Sequence, residues 1–313
     1  MKLRIRARRN ASAAAPGTRR CWDRGVTRLR HGTPDVDHPL LAAGRLRAKV
    51  APVTTKPEPY KVFPPLFRAA QEADEFEYCC ALLRIRGMEA AGWDPTEESL
   101  ALMHQVVSLI QAPLDRQLVF RLSLFLYSHA TEMADIYNVP MNMLRITAGE
   151  RYSMEPFGQL PKLPKAPTGD PLNECVRHLV QHARNAGWSD VADLYEFFFV
   201  RQVRNAFFHS DYALGSTSFN IKHGEYAKVG GMLQRAIPYD WLTPKLEVGI
   251  NTALALLSLL AEAARAYTTN KIVHGRLGHG STIIPIELTA DPEHGLTGFR
   301  SPPYAASAGD SGS

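Results

Sequence analysis

The sequence predicts an all-α fold, a helical bundle with a small β-hairpin and edge-strand appendage. Three observations predict it. From about residue 65 the apolar residues recur at helical spacing, and several helix starts carry a proline directly behind a capping side chain. Short alternating stretches, the mark of strands, are confined to the region between the last two helices and to residues 281–289.

Taken in order, a first helix is expected over about Leu66 to Ala91. In GWDPTEESLALMHQVVSLIQ, Asp94 stands as N-cap, Pro95 at the first helical position and Glu97 at the third. The next helix starts at Pro113 and runs to about Tyr137, stopping before Pro140. GDPLNECVRHLVQHARNAG repeats the Asp-Pro device at Asp170 and Pro171 and ends at Gly187. Ser189 caps DVADLYEFFFVRQVRNAFFH, read as one continuous helix, and a last helix runs from Thr243 and Pro244 to about Tyr267. STSFNIKHGEYAKVGG alternates around His223 and Gly224, which suggests a hairpin; STIIPIELT reads as a strand that Pro285 confines to an edge. GERYSMEPFGQLPKLPKAPTGD is a proline-punctuated connector.

Charge divides the chain. Residues 1–50 hold 13 Lys and Arg against 3 Asp, a net +10, while the remainder holds 23 basic and 28 acidic residues, a net −5. A basic-domain argument for nucleic acid therefore fails for the body of the protein. We expect a basic, disordered extension over residues 1–60, a helical domain over 61–300 and a disordered tail over 301–313. The extension lacks the apolar core of a secretory signal. It reads as a segment without function, a polyanion-binding arm, or, by its Arg-rich and Ala-rich composition, a targeting segment. Cys21, Cys79, Cys80 and Cys175 show no CxxC spacing, so a reduced, cytoplasmic setting is the expectation, with Cys79 and Cys80 as small core residues. No stretch approaches the roughly 18 uninterrupted apolar residues of a membrane helix; no membrane partner is expected.

The stretch YEFFFVRQVRNAFFHSDYAL, Tyr195 to Leu214, crowds polar groups onto one of the most apolar segments of the chain. On a helical wheel, Val191, Leu194, Phe198, Arg201, Asn205 and His209 fall on one side, with Phe199, Val200, Val203 and Phe207 opposite. A helix apolar nearly all round is central in its bundle or buried between subunits. Unpaired donors there cost roughly 1–3 kcal/mol each, so the polar groups are mutually satisfied or in use. Arg204 and His209 lie about 140° apart on an ideal helix. They converge only if the helix ends near Phe208, or if two subunits meet across a two-fold axis.

Arg204-Asn205-Ala206-Phe207-Phe208-His209, continued as HSDYAL, resembles the signature of HEPN domains, over about residues 95–270 of the chain. The resemblance implies a bundle of four or five helices with the motif late in the chain. It further implies a homodimer with two motifs facing one cleft, and metal-independent endoribonuclease activity. The residue types suit that chemistry, because RNA supplies its own 2′-hydroxyl nucleophile. An imidazole such as His209 moves a proton near neutral pH. A guanidinium such as Arg204 offers a charged fork to the scissile phosphate. Asn205 would orient the phosphate or the imidazole. Asp211 or Tyr212 would fix the His209 tautomer, and Arg201 would add a phosphate contact. The implied partners are RNA, a second copy of the chain, and an antitoxin or defence-system protein; no cofactor and no metal are implied. The rival expectation is a non-catalytic HEPN-type module that binds nucleotides, RNA or protein. A purely structural polar network is the third reading.

Other signals are weaker. His178 and His182 stand one turn apart, a spacing that can hold a metal but more often marks a solvated polar face, and His274 and His279 sit in a glycine-rich turn. KVGGML and GRLGHG lack the Lys-Ser/Thr of a phosphate loop, and no Ser or Cys has a nucleophile-elbow context.

Overall fold

The computed structural model describes residues 56–84, 95–158, 160–277 and 282–301. The expected first helix is two. α1 (Pro59–Ala73) ends at Asp74, whose extended backbone starts a new turn and whose carboxylate accepts from the Glu77 amide at 3.0 Å to cap α2 (Glu75–Leu83). The first described helix thus starts two residues ahead of the expected boundary at 61. Lys56 already pairs with Glu247. α3 (Pro95–Ile110) starts at its proline; the expected cap Asp94 lies outside the described residues, as do residues 1–55 and 302–313.

The helix expected over 113–137 is shorter at both ends. Asp115 caps α4 (Arg116–Glu132), accepting from the Gln117 and Leu118 amides at 2.9 and 3.1 Å. α5 (Asp135–Thr147) then runs straight through Pro140. A proline removes the N–H that would bond the carbonyl four residues back, here that of Ile136. The buried Tyr195 hydroxyl donates to that carbonyl instead. In the same way, the Tyr137 hydroxyl donates at 2.5 Å to Thr131, a carbonyl left open where α4 ends.

α6 (Glu174–Asn185) is capped by Asn173, which accepts from the Val176 amide at 2.8 Å; Asp170, the expected cap, forms a turn with Leu172 at 2.9 Å. Gly187, at φ 80°, does end it, with the Trp188 amide bonded back to Ala183 at 2.8 Å. α7 (Ser189–Phe198) and α8 (Arg201–Phe208) follow, then α9 (Tyr239–Arg265). α9 packs against α1, α2, α3, α4, α5 and α7. By length and composition it could cross a membrane, but 61% of its 18-residue apolar window is buried within the fold. Gly249 lets it approach closely, because a Cβ there would meet the Tyr127 ring at 2.8 Å and Phe198 at 3.1 Å.

The all-α expectation is corrected. Of the described residues 55% are helical and 15% lie in strands of three small antiparallel sheets, a mixed α/β fold. β1 (Tyr212–Leu214), β2 (Ser218–Ile221) and β5 (Ala236–Pro238) form the first, in the order β1-β2-β5. β3 (Ala227–Val229) and β4 (Met232–Gln234) form a hairpin. Its turn is Gly230-Gly231, both at positive φ, and not the expected His223-Gly224. β6 (Lys271–Gly275), β7 (Ile284–Asp291) and β8 (Gly295–Arg300) make the third sheet. It is no appendage: Val273, Ile286, Leu288 and Leu296 are buried in the same core as the helices. β7 is its central strand, against the expectation of an edge. Pro285 is tolerated because β8 pairs with β7 only from Glu287 onward, so at Pro285 only β6 lies alongside.

Candidate functional site

The motif stretch is not one helix. Phe199 and Val200 are extended, the latter at φ −136° and ψ 90°, and they separate α7 from α8. The break is held by a side chain from α4. The Tyr127 hydroxyl accepts from the Val200 amide at 2.7 Å and donates to the Phe198 carbonyl at 3.0 Å, fully buried. On the other side, the Arg201 amide donates to Pro171 at 2.8 Å and the Gln202 side chain to Asp170 at 2.8 Å. A wheel drawn through 191–209 therefore does not apply. α8 restarts the phase: Gln202, Val203 and Ala206 face inward, while Arg201, Arg204 and Asn205 are half-buried and Phe208 and His209 exposed. It is an amphipathic surface helix rather than one apolar all round.

Arg204 is held from three directions. Its Nε and Nη2 donate to Asn205 Oδ1 at 3.2 and 2.9 Å, and its Nη1 lies 2.9 Å from Glu132 Oε1 at the end of α4. The guanidinium also stands 6.0 Å from the centre of the Phe199 ring. Its side chain is 19% exposed, so these bonds fix it at the edge of solvent rather than in the interior.

His209 caps the C-terminus of α8, its amide bonded to Asn205 at 2.9 Å. Its imidazole is exposed and makes no hydrogen bond or ion pair among the described residues. Ser210 takes φ 56°, and its amide bonds to Phe207 while that of Asp211 returns to Ala206 at 2.9 Å. This is a Schellman closure with serine where glycine is usual. α8 thus ends at Phe208, the condition under which the two motif side chains can turn towards one space. No hydrogen bond joins Arg204 to His209 among the described residues.

The supporting residues fare differently. Asp211 pairs with Lys222 at 2.6 Å. Tyr212 is stacked between Phe207 and Phe219, at 5.7 and 5.1 Å between ring centres, as part of the first sheet's packing. Neither is seen to hold the His209 ring. The Arg201 guanidinium has no ion pair among the described residues. Glu132, Tyr127 and Lys222 were missed by sequence reasoning, and none carries a local signal. His129, one turn before Glu132, was missed too; its ring stacks on Phe125, its Nε2 is buried without a partner, and burial lowers its pKa.

His178 is buried rather than on a solvated face, burial lowers its pKa, and its carbonyl lies 3.1 Å from His182 Nδ1. Among the described residues no three His, Cys, Asp or Glu side chains gather in a metal-binding group. His279 lies outside them. A scan against protein-family models gave no match, and searches of curated proteins and of solved structures gave none either.

Proposed function

We propose that the chain is a metal-independent endoribonuclease of HEPN type, acting in the cytoplasm as a homodimer through α8. The observation that carries this reading is the pairing of opposites on one short helix. Arg204 is a guanidinium locked in place by Asn205 and Glu132, and five residues on, His209 is an imidazole left to solvent at the helix end. Exposed Phe208, 50% accessible, supports a protein contact at the same end. In a dimer built on this face, His209 moves the proton of the RNA 2′-hydroxyl or of the leaving 5′-oxygen. Arg204, oriented by Asn205, stabilises the charge that builds on the phosphate. Arg201 adds a second cation. Cleavage then leaves a 2′,3′-cyclic phosphate and a 5′-hydroxyl. An antitoxin or defence-system protein is a further partner of this reading.

One observation favours the rival, a non-catalytic HEPN-type binding module. Every guanidinium nitrogen of Arg204 already has a partner within the chain, so a phosphate must compete with Glu132. Separate Arg204→Ala and His209→Ala variants decide between the two. We expect each to lower RNA cleavage by about 100-fold or more, in chelator-containing buffer, with unchanged thermal unfolding and unchanged dimer mass by sedimentation. Cleavage equal to the parent in both variants rejects the catalytic reading. Loss of dimer and of stability together assigns the motif to structure.

A further inference from the structure

A cavity of about 590 Å³ lies among the C-terminal half of α3, the N-terminal half of α4, α9 and the turn after β1. None of the motif residues lines it. Its size falls in the range of about 300–1,000 Å³ that small-molecule sites span. Val107, Leu126, Leu246 and Ile250 give it an aliphatic floor, and Leu126 and Leu246 are fully buried there. Phe120 and Tyr239 pack edge to face at 4.6 Å along one wall.

The charge at the rim is one-sided. Glu247, the one carboxylate among the lining residues, is paired with Lys56. Arg116 lines the rim and has no ion pair among the described residues; Arg121, five residues further along α4, lies outside the lining and has no ion pair among them either. Burial raises the pKa of the Tyr239 hydroxyl, while the charges of Arg121 and Arg116 act to lower it, so both guanidiniums bear on this wall. Asp115, next to Arg116, is engaged by the first amides of α4. Three carboxamides line the cavity: Gln111 and Gln117 are exposed at the rim, and Asn251 on α9 is half-buried.

We propose that this cavity binds an anionic amphiphile, a medium-chain alkyl carboxylate. Its chain lies on Val107, Leu126, Leu246 and Ile250, and its head meets Arg116 and Arg121. An apolar floor makes affinity depend on chain length: each further buried methylene strengthens binding roughly fourfold. Calorimetric titration of the full-length chain with octanoate, decanoate and dodecanoate, each below its micelle concentration, tests this. We expect affinity to rise by that factor per methylene. In Arg116→Glu/Arg121→Glu it should fall about tenfold for the carboxylates and stay level for dodecanol. Ser123 lines the cavity and its hydroxyl bonds only to its own helix, so Ser123→Phe fills the space; it should abolish binding while thermal unfolding is retained. A flat chain-length series, binding indifferent to both variants, or binding of adenosine monophosphate in place of the carboxylates overturns the proposal. So does binding to phospholipid vesicles without binding to the free acid. RNA cleavage plays no part in these measurements, so they stand or fall apart from the motif.

Discussion

Ser210 sits at φ 56°, where a Cβ is disfavoured, at the closure that presents His209. Ser210→Gly should therefore stabilise the protein by up to about 1 kcal/mol, and Ser210→Val should destabilise it, both read by chemical denaturation. Lys245 shows a different single-residue conflict. Its ammonium lies 4.5 Å from both the Phe197 and Trp241 rings and donates to the Phe197 carbonyl, yet burial lowers its pKa from 10.5 to about 8. Between those values the unfolded chain binds a proton that the folded one does not, so this group makes stability rise with pH from about 8 to 10.5. Subtracting the stability–pH curve of Lys245→Met from that of the parent should isolate this rise. A flat difference would show that the aromatic faces fully offset the burial.

At the scale of elements, the decisive features are helix breaks. α4 and α5 divide at Met133–Ala134, and α7 and α8 at Phe199–Val200. At the second break Tyr127 satisfies one carbonyl and one amide in the dry interior, 71 and 73 residues away along the chain. Tyr127→Phe leaves both groups unpaired. We expect a loss of about 2–6 kcal/mol, at roughly 1–3 kcal/mol per group, together with faster hydrogen exchange at the Val200 amide. Unaltered exchange there would mean the break is imposed by the anchoring of Arg201 and Gln202 on the segment before α6. Helix existence was legible because periodicity and caps are local: α3 starts at Pro95 and α6 closes at Gly187 as expected. The breaks were not, since a phenolic hydroxyl brought in from another helix leaves no trace in neighbouring sequence.

Across the whole molecule, the strands after α9 turn an expected appendage into part of the core. Glu77, 3% exposed, links distant parts: it takes Arg151 Nε and the Tyr152 amide, both at 2.9 Å, while Arg151 Nη2 donates to Arg276 beyond β6. Glu77→Ala should cost about 2–4 kcal/mol, below the full cost of breaking a buried pair because the Arg151 side chain is 38% exposed. A lowered denaturation midpoint with unchanged slope would show it. The candidate site was partly legible. Arg204, Asn205 and His209 stand on one surface helix that ends where their convergence requires. The roles expected for Asp211 and Tyr212 gave way to Lys222 and to ring stacking.

The sequence alone determined that α3 opens at Pro95, that α6 closes at Gly187 and that Cys79 and Cys80 are core residues, because caps, periodicity and left-handed closures act within a few residues. Only the tertiary structure decided that Arg204 is clamped by Glu132, that Tyr127 splits the motif helix from its predecessor, and that the third sheet shares the helical core. Those outcomes depend on satisfying buried polar groups and apolar faces with partners far along the chain, a condition that no local window contains.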